Sequence, residues 1–241
     1  MNTTAANRSR GISDVAERQM RTWALSLQSQ QQLAEERAAT PLPKLVHPYL
    51  VVSREAGVDA RELAQAVASQ CGWKMLDREL LDYMAEHDQL SRLALEFVDE
   101  RAASWFHEMF GKWLDEHLIS QAEYVSRLGK LVLLATQHES TVFVGRGVQF
   151  LLPREAGLAV RIIAPRKQRI AHLMQSRKCG ARDAEKFMDE TDHARAQFVR
   201  RYFLHDVADP HLYDLVLNLE HLTREEVVKL IVQECKRIAA R

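Results

Sequence analysis

One stretch constrains this chain more than any other: a short apolar run, Tyr49-Leu50-Val51-Val52, followed by a polar loop and then a helical pattern. An apolar run without alternation suits a strand covered on both faces, as in a parallel sheet. From Glu62 the apolar positions Leu63, Ala66 and Val67 recur at helical spacing, and the pattern stops at Cys71-Gly72, a helix C-terminus. Trp73 to Leu76 gives a second short strand, closed by Asp77-Arg78. A buried strand whose C-terminal loop opens a helix is where α/β proteins bind phosphate, because the helix's first N–H groups point at the anion.

The same alternation continues to the end of the chain. Strand three is Thr141 to Val144, strand four Leu158 to Ile163 and strand five Tyr213 to Leu219. Between strands two and three, a helix runs from Arg78 to Ala85. Residues 91–138 then hold no proline and only Gly111 and Gly129, which predicts helices over 90–98, 102–114 and 117–138. A short helix, Val148 to Leu152, ends at Pro153; a basic helix from Arg166 to Arg177 breaks at Cys179-Gly180 and resumes from Ala181 to Phe203. The last helix carries Thr223 with Glu226 three residues on, a capping box. Five buried strands separated by helices predict a parallel sheet with right-handed crossovers.

Residues 1–12 are polar and read as disordered; a helix is expected from Ser13, its N-cap, to about Ala39, with Val15, Met20, Trp23 and Leu27 near one face. Thr40-Pro41-Leu42-Pro43-Lys44 reads as a stiff linker. Trp105, Phe106, Met109, Phe110 and Trp113 form an aromatic stripe at helical spacing. Each of these two apolar faces has two readings: packing within the chain, or seating a second copy in a homodimer. Lys+Arg and Asp+Glu both number 33, so no global field draws nucleic acid or membrane, and any anion site must be local. No apolar segment approaches the length of a membrane span, and the start lacks a signal-peptide core, which predicts a cytoplasmic protein. Cys71, Cys179 and Cys235 are far apart, have no zinc spacing and read as reduced thiols.

Chemistry-bearing residues gather at the strand ends. Arg61 follows strand one, Asp77 and Arg78 strand two, Gly145-Arg146-Gly147 strand three and Arg169 with Arg177 strand four; Asp192, Arg195, Arg200 and Arg201 lie on the next helix. Phosphoryl transfer needs placed positive charge around the moving group, and a ring of arginines in a chain without net charge supplies it. The plainer reading of any single arginine is a solvated helix face. A P-loop of the form G-x-x-x-x-G-K-[ST] uses glycines to wrap phosphates, Lys to grip them and a hydroxyl to hold magnesium. Here the loop has one glycine, Gly57, one strong cation, Arg61, and no hydroxyl after it. On chemistry alone that is a weak phosphate site. Neither H-E-x-x-H nor G-x-S-x-G is present.

Ser53-Arg54-Glu55-Ala56-Gly57-Val58-Asp59-Ala60-Arg61-Glu62-Leu63-Ala64 resembles the opening motif of the cytidylate kinase-like family, usually S-R-E-x-G-S-G-G-R-E-I-A. The likeness continues at Leu76-Asp77-Arg78-Glu79-Leu80, Val144-Gly145-Arg146-Gly147, Ile163-Ala164-Pro165 with Arg169, Asp192-x-x-Arg195 and Tyr213 to Asn218 with Leu222-Thr223. It implies a P-loop NTPase-like, three-layer α/β/α fold over 45–241, with a helical acceptor-side insertion at about 87–140 and lid-like helices at about 166–205. Residues 1–44 are then an N-terminal helical extension. The resemblance assigns Arg54, Gly57, Val58, Asp59, Ala60, Arg61 and Glu62 to ATP phosphates, and Arg61, Arg169 and Arg177 to catalysis. It assigns Asp77, Arg78, Gly145, Arg146, Asp192 and Arg195 to the acceptor nucleotide. ATP and Mg2+ are the implied cofactors, with Asp59 or Glu62 left to hold the metal. The departures are specific: G-S-G-G becomes Gly57-Val58-Asp59-Ala60, and the G-R-D of the true cytidylate kinase becomes Gly145-Arg146-Gly147. Val58, Asp59 and Ala60 are therefore expected to strain a loop built for glycine. Two functions follow as expectations: a kinase passing the ATP γ-phosphate to CMP or a related acceptor, and a weakly active or inactive nucleotide-binding regulatory protein on the same fold.

Overall fold

The structure, a computed structural model, describes Ile12, Val15, Ala16, Arg18, Gln19, residues 46–86 and residues 119–240. Its strands are β1 (Tyr49–Arg54), β2 (Lys74–Leu76), β3 (Thr141–Val144), β4 (Gly157–Ile163) and β5 (Leu215–Asn218). They form one all-parallel sheet in the order β2-β3-β1-β4-β5. The helices are α1 (Ala60–Cys71), α2 (Arg78–Glu86), α3 (Ile119–His138), α4 (Arg166–Arg177), α5 (Ala181–Phe203) and α6 (Arg224–Ala239).

The unalternating run of β1 is buried because strands flank it on both sides: Val52 lies beside Val144 of β3 and Val160 of β4. Leu50 and Val52 join one apolar cluster with Leu63, Ala64 and Val67 of α1 and Val227, Ile231 and Cys235 of α6. Each large aliphatic side chain so buried contributes about 1.5–3 kcal/mol relative to exposure. Tyr49 is also fully buried; its hydroxyl donates to the Pro153 carbonyl at 3.0 Å, and burial drives its pKa far up, so it stays a neutral donor.

Three expectations change. β1 runs two residues past its apolar part, since β4 continues alongside it and pairs Arg54 with Ile162. The strands are not all buried: β2 and β5 are the sheet edges, each with one buried residue, Leu76 and Leu217. An edge strand has a neighbour on one side only. The short helix after β3 is a single 3-10 turn, Val148–Phe150, entered from Gly147 in the left-handed conformation.

The described residues fall into two compact units, one from 1–47 with 76–140 and one from 48–75 with 141–241. Within the first, α2 and α3 are joined by a hydrogen bond from the Tyr124 hydroxyl to Asp82 at 3.0 Å. Ile12, Val15, Ala16, Arg18 and Gln19 are helical there, and Ser13, the expected N-cap, lies outside the described residues. Ala16 and Gln19 are buried, and the Gln19 amide donates to Glu139 Oε1 at 3.0 Å. The rest of the helix expected over 13–39, the 40–44 linker, the helices expected over 90–98 and 102–114 and the Trp105 to Trp113 stripe lie outside the described residues. Among the described residues no helix is long and apolar enough to cross a membrane.

Candidate functional site

The loop from Glu55 to Asp59 joins β1 to α1 in the second unit, and its first half is tied down on every side. The Glu55 N–H donates to the Ile162 carbonyl at 3.2 Å, and the Glu55 carboxylate accepts from the Ala164 N–H at 3.2 Å. The Ala56 N–H donates to Asp192 Oδ1 at 2.7 Å. Arg169, with 11% of its side chain exposed, donates from Nη1 to Asp192 Oδ2 at 2.5 Å and to the Ala56 carbonyl at 3.2 Å. Its Nε lies 3.5 Å from Glu55 Oε2. Arg195 donates to the Arg54 carbonyl at 3.1 Å. An Asp192 carboxylate between two arginines thus clamps the loop's entry to α4 and α5.

Gly57 stands at φ 80°, and a Cβ there would come within 2.6 Å of the Arg169 carbonyl oxygen, so both the conformation and the close approach require glycine. The expectation of strain at the neighbouring positions is overturned. The positive-φ residues other than glycine are Arg146, Lys178 and Leu204 among those described, and Asp59 sits at φ −81°. Of the family's four loop positions, the one that keeps its glycine is the one whose backbone needs it.

The acid gained at Asp59 has an arginine and a histidine beside it. Arg224 Nη2 lies 3.4 Å from Asp59 Oδ2, Arg224 Nη1 lies 2.9 Å from Glu62 Oε2, and His172 Nε2 lies 3.8 Å from Asp59. Arg224 occupies the first turn of α6, where the helix dipole disfavours a cation, and the two carboxylates offset that cost. A cavity of about 280 Å³ opens beside the loop, lined by Gly57, Val58, Asp59, Arg169 and His172 and, from the turn before α6, Leu219, Leu222, Thr223 and Arg224. Arg61 is exposed on the first turn of α1.

At the end of β3, Gly145, Arg146 and Gly147 take φ values of 86°, 61° and 64°, three consecutive left-handed residues. A side chain on Gly145 would collide with the Arg54 guanidinium, and one on Gly147 with the Phe203 ring. The Arg146 guanidinium stacks 4.5 Å from the Phe198 ring centroid, and Arg177 stacks 3.7 Å from that of Phe187. In the first unit Asp77 caps α2, accepting from the Leu80 N–H at 3.0 Å, and Arg78 pairs with Asp82 at 3.5 Å. Arg54, Gly57, Val58, Asp59, Ala60, Glu62, Arg169, Asp192 and Arg195 thus meet around the loop, while Arg146 and Arg177 rest on aromatic rings of α5.

Three participants escaped the sequence reading. Arg224 carried a signal, a cation in the first turn of a capped helix. His172 carried none. Arg161 is buried in β4, donating to Ser53 Oγ at 3.2 Å beneath Tyr213, and reads as an ordinary interruption of a strand. No group of three or more His, Cys, Asp or Glu side chains suited to a metal occurs among the described residues.

A five-stranded parallel sheet flanked by helices, with a strand-loop-helix unit at its central strand, defines a three-layer α/β/α fold. The model of the cytidylate kinase-like family matches residues 50–221, and the chain belongs to that family. Among solved structures, an uncharacterized protein from Eubacterium ventriosum ATCC 27560 shares the fold at a TM-score of 0.64 and 16% identity, over 79% of this chain and 99% of its own. A shikimate kinase from Bacteroides thetaiotaomicron matches at 0.41 and 14% identity over 80% and 99% of the two chains. A gluconokinase from Sinorhizobium meliloti 1021 matches at 0.44 and 13% identity over 80% and 94%. No curated protein matches the chain.

Proposed function

We propose that the chain binds ATP at the loop between β1 and α1 and passes its γ-phosphate slowly to CMP or a related nucleoside monophosphate. The observation that carries this reading is the cavity of about 280 Å³ beside Gly57 to Asp59, close to the lower end of small-molecule sites at about 300 Å³. The N-terminal turn of α1 faces anions with its dipole and N–H groups. Arg169 stands in the cavity wall as a positive charge against the loop, and Arg146 is the residue to meet the acceptor. Asp192 and Arg195 act in this reading as braces of the loop. Magnesium would arrive with the nucleotide and balance phosphate charge; Asp59 and Glu62 are the carboxylates that would meet it, in exchange for Arg224.

A second reading, nucleotide binding without turnover, is favoured by one observation. The Ala56 N–H is committed to Asp192, and Arg169 closes over Gly57, so part of the loop's donor capacity is spent within the protein. Purified protein assayed with Mg-ATP against CMP, dCMP, UMP and AMP separates the two. ADP formation that depends on one acceptor supports the kinase; binding of nucleotide with no ADP above background supports the second reading; neither binding nor turnover refutes both.

A further inference from the structure

Cys71 and Cys235 stand far apart in sequence, and the fold puts them together. Cys71 is the last residue of α1 and is half-buried; Cys235 is on α6 and fully buried. Cys235 belongs to the apolar layer between the two helices and the sheet, and Cys71 packs against that layer. The helix geometry explains why. Arg224, in the first turn of α6, holds Asp59 and Glu62 at the start of α1. From Glu62 to Cys71 the rise along α1 is about 14 Å, and from Arg224 to Cys235 along α6 about 16 Å. Two helices running side by side in the same direction and joined by ions at their starts are therefore in register at the two sulfurs. The third cysteine, Cys179, contacts the Leu173 carbonyl near the end of α4.

We infer that Cys71 and Cys235 are a modification site: a reversible disulfide, closed by a hydroperoxide, that staples α1 to α6. The partly exposed Cys71 meets the oxidant. Its thiolate attacks the terminal peroxide oxygen, the O–O bond breaks, and the departing alkoxide takes up a proton to leave an alcohol and Cys71 as the sulfenic acid. The Cys235 sulfur then attacks Cys71, hydroxide leaves and takes the Cys235 proton as water, and the S–S bond forms. Lys236 favours the Cys71 thiolate, whereas burial pushes the thiols of both residues up and slows the reaction. The site answers sustained oxidant, and the helix it locks is the one that begins at the phosphate loop.

The test is treatment of the full chain with tert-butyl hydroperoxide, read by intact mass, thiol titration, tryptic mapping and melting. The expected product has lost two hydrogens, keeps one of its three thiols and links the Cys71 and Cys235 peptides. It melts roughly 5–15 °C higher than the reduced protein, and dithiothreitol reverses every change. Cys71→Ser, at a half-exposed helix end, folds and loses both the link and the rise, while Cys179→Ser keeps them. Oxygen addition at Cys71 without a link, a link through Cys179, or a link between two molecules would overturn the inference.

Discussion

Replacing Asp192 by alanine tests the loop clamp directly. The side chain accepts from the Ala56 N–H at 2.7 Å and from Arg169 at 2.5 Å, and Arg169 is 11% exposed. Removing it leaves a backbone donor without its acceptor, worth about 1–3 kcal/mol, and removes a hydrogen bond to a charged group, worth about 1.5–3 kcal/mol. Asp192 is itself 31% exposed, so water reaches part of the gap, and Glu55 at 3.5 Å still faces Arg169. The sum therefore falls at the low end, about 2–4 kcal/mol, below the loss expected when a fully buried pair is broken. Asp192→Asn keeps an oxygen for the Ala56 N–H and loses only the charge, which predicts about half that effect. Urea unfolding of the three proteins, with linear extrapolation, measures the differences, and the alanine variant should melt roughly 5–15 °C lower. An alanine variant within about 0.5 kcal/mol of the native protein, the usual range for an unremarkable surface change, would refute the clamp. So would an asparagine variant as damaged as the alanine one.

Asp59→Gly is expected to tighten binding of metal-free ATP about fivefold, because it removes about 1 kcal/mol of repulsion between like charges in a solvated site; weaker binding by calorimetry without magnesium would refute that repulsion. Arg146→Ala is expected to weaken acceptor binding by about 1.5–3 kcal/mol. It should also be less stable than Arg146→Gly by about 1 kcal/mol, since only glycine relieves the left-handed conformation at φ 61°; equal stabilities by urea unfolding would contradict this. The Thr223 backbone N–H and hydroxyl bond to Glu226 and hold its carboxyl below the usual range, so its contribution is present above the ordinary glutamate pKa and lost as pH falls through the lowered one. The melting-temperature gap between native protein and Glu226→Ala should accordingly shrink on acidification below about pH 4, and a gap that grows would reverse the assignment.

What the sequence disclosed was local. The strands around Tyr49, Val142 and Val160 were legible because burial on both faces leaves an unbroken apolar run, and the cap at Thr223 because its partner is three residues away. The site's wiring was not legible, because it joins distant positions: Asp192 reaches Ala56 across 136 residues, and Arg224 reaches Asp59 across 165. Nothing in the periodicity of α5 marks Asp192 as the residue that turns toward the loop. The loop's missing glycines pointed to strain that the backbone does not have, since φ at each position follows from how the chain enters α1 and not from what relatives place there. Arg146 was legible as a backbone special through its flanking glycines, whereas the aromatic ring beneath it, Phe198, lies on α5, beyond β4 and α4.

Calorimetric titration of Mg-ATP into the full chain, native beside Leu222→Trp, asks whether this cavity is the nucleotide site. Leu222 lines the cavity next to the loop, and an indole there fills the space proposed for the nucleotide. The native protein should bind saturably, one to one, and the variant should lose at least about tenfold, 1.4 kcal/mol, in affinity. Equal affinities in the two proteins, or no saturable heat at millimolar ATP in the native one, would contradict that proposal.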